Sequence, residues 1–81
     1  MPMFMDVHDD LKLPPEAIEQ VRQGTRDGTK DEFGVRQVEL YYNADGKAYC
    51  LLEGPDADAV RKHHAAIDVP CGDVHEVSSL L

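Results

Sequence analysis

The chain is short of positive charge. Lys and Arg number 8 against 16 Asp and Glu, giving a net charge of −8 over 81 residues. Such a surface repels phosphate backbones and anionic lipid, so nucleic acid and membrane surfaces are not expected partners. No apolar run is long enough to span a membrane, and no basic segment leads into an apolar one at the start. A cytoplasmic location is therefore expected. There are only 2 cysteines, which in that compartment are reduced thiols rather than a disulfide. Neither a C-x-x-C nor an H-x-x-x-H spacing occurs, so no ready-made metal motif is present. There is no internal repeat, low-complexity tract or linker, and a single domain over residues 1–81 is expected. A domain of this size buries only about 60–65% of its unfolded surface. A bound metal or a second subunit would add to its stability by mass action.

What is present is a clear alternation of strand and helix signals. Met3 to His8 alternates, with Met3, Met5 and Val7 to one side and Phe4, Asp6 and His8 to the other. Asp9, Asp10 and the Pro14-Pro15 pair then make a connection. A first helix opens near Pro15, with Glu16 at its positive end and an apolar stripe of Ile18, Val21 and Thr25. Gly24 and Gly28 weaken it, so it either ends early or lets a neighbour approach, and Gly34 is a suitable left-handed terminator. Val35 to Tyr42 forms a second strand, with Val38, Leu40 and Tyr42 on one face and Gln37, Glu39 and Tyr41 on the other. Asn43 to Gly46 is a hairpin turn signal, and Lys47 to Glu53 is the third strand. Gly54-Pro55 stops that strand. Asp56 caps a second helix whose inward stripe is Ala57, Val60, His64 and Ile67, with Pro70 beyond it. Asp73 to Ser78 completes the set as a short strand carrying Val74 and Val77.

The order strand, helix, strand, strand, helix, strand predicts a ferredoxin-like α+β fold, βαββαβ, with a four-stranded antiparallel sheet and two helices on one face. Strands 1 and 3 are expected at the centre, side by side and parallel. The face without helices would hold Met3, Met5, Val7, Tyr49 and Leu51. That is too much apolar surface to leave in water, so dimerisation through that face is expected.

The same layout brings chemistry together. At about 3.3 Å per strand residue, Cys50 lies about 13 Å below Gly54. At about 1.5 Å per helical residue, His64 lies about 12 Å from Asp56. A second helix folded back over the third strand therefore sets Cys50 and His64 at one level. Asp6 and His8 share that face on the first strand. Two imidazoles and a thiolate suit nickel, zinc or copper better than magnesium or calcium. His8, Cys50 and His64 are the expected metal ligands. Asp6, Tyr41, Glu53 and His63 are secondary candidates, Asp6 as a direct ligand or as the group that orients His8. His63 is expected to be exposed, on a different helix face from His64. Cys71 and His75 have a C-x-x-x-H spacing that suits a separate exposed site. Each residue also has an ordinary explanation. His64 can be a hydrogen-bonded core histidine, and Cys50 a small inert hydrophobe. The expected convergence sets the metal reading above these.

Several short stretches, D-V-H-D near the start, F-G-V at the second strand, Y-C-L-L-E-G-P-D-A-D-A-V with the histidine that follows, and V-H-E-V near the end, carry a family resemblance. The chain resembles a family of small bacterial proteins described as nickel-binding or nickel-responsive. The resemblance spans nearly the whole length. It implies a dimeric ferredoxin-like fold, a nickel ion as the bound group, and His8, Cys50 and His64 as the motif residues. Gly54 stands where the family pattern leads us to expect Ala, and the glycine-rich first helix matches the pattern poorly.

Three functions follow as expectations. The first is a nickel-binding protein that sequesters or senses the ion without catalysis. The second is a small dimeric α+β barrel enzyme, monooxygenase- or isomerase-like, using a cleft under helix 2 with His8 and Asp6 as its base. The third is a metal-free structural dimer.

Overall fold

In a computed structural model, residues 2–9, 14–67, 69 and 71–80 are described. Asp10 and Pro70, part of the connections expected above, lie outside the described residues. The elements are β1 (Met3–His8), α1 (Pro15–Asp27), β2 (Arg36–Tyr42), β3 (Ala48–Glu53), α2 (Ala57–Ala66) and β4 (Val74–Val77). The strands form one sheet in the order β2-β3-β1-β4, and every neighbouring pair is antiparallel.

Strands β1 and β3 are central, as expected, but they are not parallel. The α1 crossover leaves β2 running with β1, and the Asn43 hairpin then reverses β3. Side chains sort accordingly. In β1, Phe4, Asp6 and His8 are buried and Met3, Met5 and Val7 are half-exposed. Asp6 lies opposite Cys50 and His8 opposite Ala48, so these share the buried face. Leu40 and Tyr42 of β2 join them by register. Gln37 does not follow the expected alternation. A bulge between Gln37 and Glu39 leaves Val38 without a paired residue, so Gln37 stands opposite Leu52 on the buried face.

Local chemistry fixes the ends of the elements. The Asn43 carboxamide oxygen accepts from the Asp45 and Lys47 amides, and Gly46 supplies the positive φ of 91° that the turn needs. Helix α1 ends early at Gly28, which takes the left-handed conformation and closes back on Gly24 and Thr25. Gly34 terminates no helix. It sits in the turn after α1, where Asp31 Oδ1 accepts from the Phe33 and Val35 amides. Among the described residues nothing packs against Gly24, so that glycine permits no close approach there. Asp56 caps α2 as expected, its Oδ1 accepting from the Ala59 amide at 2.8 Å.

The core beneath the helices is Phe4, Val35, Cys50, Leu52, Ala59 and Val60, with Phe33, Leu40, Ala57 and Val74 against it. Ile67, expected on the inward stripe of α2, is 55% exposed because the helix ends at Ala66. A Cβ on Gly54 would come within 3.2 Å of Val35, which is why glycine fits there beside this core. Helix α1 lies over β2. Helix α2 packs chiefly against β4 rather than over β3. It has to carry the chain from β3 past β1 to the opposite edge of the sheet, so it leans across β1. No helix among the described residues is long and apolar enough to cross a membrane.

Candidate metal centre

The site is built outward from Asp6. It stands mid-strand in β1, flanked by β3 and β4, and is completely buried. Strand periodicity puts His8 on the same face, and its Nε2 lies 2.7 Å from Asp6 Oδ2. His64 descends from α2, and its Nε2 lies 2.9 Å from the same oxygen. The two rings are 5.4 Å apart, centre to centre. Despite these approaches, neither Asp6 oxygen has a hydrogen-bond partner of good geometry among the described residues. A buried carboxylate without satisfied oxygens is costly and calls for a compensating cation.

The tautomer of His64 sharpens the point. Its Nδ1 lies 2.8 Å from the Val60 carbonyl oxygen. A carbonyl only accepts, so Nδ1 carries the hydrogen. The neutral ring then turns its Nε2 lone pair toward Asp6 Oδ2. Two electron-rich atoms face each other at 2.9 Å, and a proton or a metal ion must lie between them. Burial pushes the His64 pKa down, but the Asp6 contact and the Val60 bond overcome it, so the pKa is raised overall.

Two thiols complete the donors. Cys50, opposite Asp6 on β3, is buried, and burial together with the Asp6 charge pushes its thiol up to about 12. Cys71, just before β4, is half-exposed, and its thiol is raised for the same two reasons. Without a metal, both are held as neutral thiols. Donor atoms within 4.8 Å of one another fall into two sets, Asp6 with His8 and Cys50, and Asp6 with His64 and Cys71. One carboxylate, two imidazoles and two thiols fit nickel, zinc or copper.

The expected ligands are therefore distributed. His8 and Cys50 meet at Asp6, while His64 reaches Asp6 from the other side, beside Cys71. Tyr41 faces the opposite side of the sheet, across from Tyr49. Glu53 forks onto Arg36 at the far end of β3, and that pairing holds its carboxyl below the usual range. His63 is not the exposed residue expected. It is half-buried, with Nδ1 against Asp31 Oδ2, and so ties α2 to the turn before β2. His75 stands opposite Met5 on the outer face, so Cys71 and His75 do not make the separate site their spacing suggested. The residue missed as part of this centre is Cys71. The signal was the crossover itself, which brings the approach to β4 alongside β1.

A cleft of about 340 Å³ lies between α1 and β2, lined by Ile18, Val21, Thr25, Leu40 and Tyr42 with Arg22 and Arg26 at its edge. Glu39 also lines it, but none of Asp6, His8, Cys50, His64 and Cys71 does.

A family model for the nickel responsive protein SCO4226-like family matches residues 4–77. The chain belongs to this family. Its fold is also similar to the crystal structure of SCO4226 from Streptomyces coelicolor A3(2), at 28% sequence identity and a TM-score of 0.75. The match covers 98% of this chain and 99% of that one. No curated protein matches the chain. The family description ties this member to nickel at a coarse level, and the shared fold is βαββαβ.

Proposed function

We propose that this protein binds nickel, and that it sequesters or senses the ion without catalysing a reaction. The ligands would come from Asp6, His8, Cys50, His64 and Cys71. One observation carries the reading: a fully buried carboxylate with no well-aligned hydrogen bond among the described residues, closed on by two imidazole nitrogens and set between two thiols. The family description is what favours nickel over zinc or copper.

The residues divide the work. Asp6 supplies the fixed negative charge. Val60 holds the His64 ring so that Nε2 is the nitrogen offered. Cys50 and Cys71 give up protons only to a cation strong enough to displace them, which disfavours the hard ions. The enzyme alternative needs room for a substrate beside the His8–Asp6 pair, whereas the cleft found lies under α1 and over β2. The half-exposed face carrying Met3, Met5, Val7, Tyr49 and Leu51 fits a sheet-to-sheet homodimer.

The test is a titration of metal-free, untagged protein with nickel, followed by thiolate-to-nickel charge-transfer absorption. Cys50→Ser and Cys71→Ser should each weaken the band. An unchanged band and affinity in both variants would put the ion elsewhere.

A further inference from the structure

Helix α1 stands off from the sheet. Its apolar stripe of Ile18, Val21 and Thr25 meets Leu40 and Tyr42 of β2 across a gap. No residue of α1 is buried, whereas Ala59, Val60 and His64 of α2 are. The gap is the cleft of about 340 Å³ described above. Clefts that hold small molecules run from about 300 to 1,000 Å³, so this one suits a small occupant. It lies on the helix side of the sheet, away from the face that fits a dimer contact.

The edge of the cleft carries charge of the scarcer sign. The chain has 8 Lys and Arg against 16 Asp and Glu, and Arg22 and Arg26 both line this space. Arg22 is held by Glu19, one turn back along the helix. Arg26 pairs with no acid among the described residues, and the Tyr42 hydroxyl has no hydrogen-bond partner among them. The acid of the lining, Glu39, is engaged, its Oε1 accepting from the Leu40 amide at 2.9 Å. The Thr25 hydroxyl donates to the Val21 carbonyl oxygen at 2.7 Å, so its hydrogen is used within the helix. The uncommitted donors are therefore a guanidinium and a phenol. A guanidinium presents a planar fork of N–H groups that matches the two oxygens of a carboxylate. Apolar walls with a few polar groups at one end suit an amphipathic anion.

We propose that this cleft binds a small apolar monocarboxylate. Its apolar body lies against Ile18, Val21 and Leu40. Its carboxylate accepts from the Arg26 guanidinium and the Tyr42 hydroxyl. The site shares no residue with the metal centre and does not depend on the nickel reading.

The test is a titration of untagged full-length, metal-free protein with sodium octanoate and, separately, with 1-octanol, followed by amide shifts in nitrogen-15 NMR. Octanoate should give saturable shifts centred on Ile18, Val21, Thr25, Leu40 and Tyr42. 1-Octanol, of the same chain length without the charge, should bind at the same residues about tenfold or more weakly. Arg26→Gln, at an exposed position that leaves the fold intact, should weaken octanoate by about tenfold and leave 1-octanol unchanged. Equal affinity for the two probes, or octanoate binding unaffected by Arg26→Gln, overturns the carboxylate assignment. Shifts centred outside the cleft, or none that saturate, overturn the site itself.

Discussion

A carboxylate buried in a sheet costs several kcal/mol unless its charge is met. Asp6 is met by two imidazole edges. In the metal-free protein this makes His64 a proton store. Its folded pKa is raised above the unfolded value, so it stabilises the fold fully below about pH 6.5. That contribution is lost as pH rises through the folded pKa. Urea midpoints of the metal-free protein should therefore fall as pH rises through and above that value. Asp6→Asn should flatten the dependence, because the neutral amide no longer favours imidazolium. The same substitution should weaken nickel binding by about 10- to 100-fold, measured by competition with a calibrated chelator. A wild-type midpoint that does not change with pH would show that His64 is not charged by Asp6. Asp6 was legible as a candidate because it sits two residues before His8 on the same strand face. Its central position was not legible, since alternation alone does not say that β1 lies between β3 and β4.

At the scale of elements, caps and turns hold the donors in place. Asp56 accepts the Ala59 amide at the start of α2, so Asp56→Ala should cost about 1 kcal/mol in urea denaturation. A loss within error would mean that α2 is fixed by packing alone. The Asp31–His63 contact ties α2 to the turn before β2. Burial opposes the charge on Asp31, but its backbone bonds to Val35 and Phe33 and the contact with His63 lower its pKa. Its contribution is present above its unfolded value and is lost as pH falls through the lower folded one. Asp31→Asn should remove that part of the acid sensitivity, read as a smaller drop in melting temperature between pH 5 and 3. Cap and turn residues were readable because Asp, Asn and Gly act locally. The tilt of α2 toward β4 was not, because it depends on where β4 pairs. That tilt carries His64 beside Cys71, where a helix lying directly over β3 would have set it above Cys50. The bulge that turns Gln37 inward was also hidden, since an extra residue leaves no mark on the apolar pattern.

For the whole molecule, two opposed pH effects follow. Above about pH 6.5 the His64 contribution to metal-free stability falls as pH rises, whereas nickel affinity at the proposed ligands should rise, because there the ion would displace protons from Cys50, Cys71 and His64. Isothermal titration in buffers of different ionisation enthalpy should show proton release on binding. Binding without proton release would exclude the thiols. The outer sheet face makes a separate prediction. Tyr49, 36% exposed among half-exposed Met5, Val7 and Leu51, should anchor a homodimer in light scattering, and Tyr49→Glu should halve the mass. A monomeric wild type would leave that face without the partner proposed for it. The acidic chain concentrates cations but does not choose among them, so the choice falls to sulfur and imidazole. Nickel K-edge X-ray absorption on loaded, untagged protein tests that choice most directly. The account predicts a mixed shell with sulfur at thiolate distance, lost when both Cys50 and Cys71 are serine. A shell of nitrogen and oxygen alone in the wild type would contradict it.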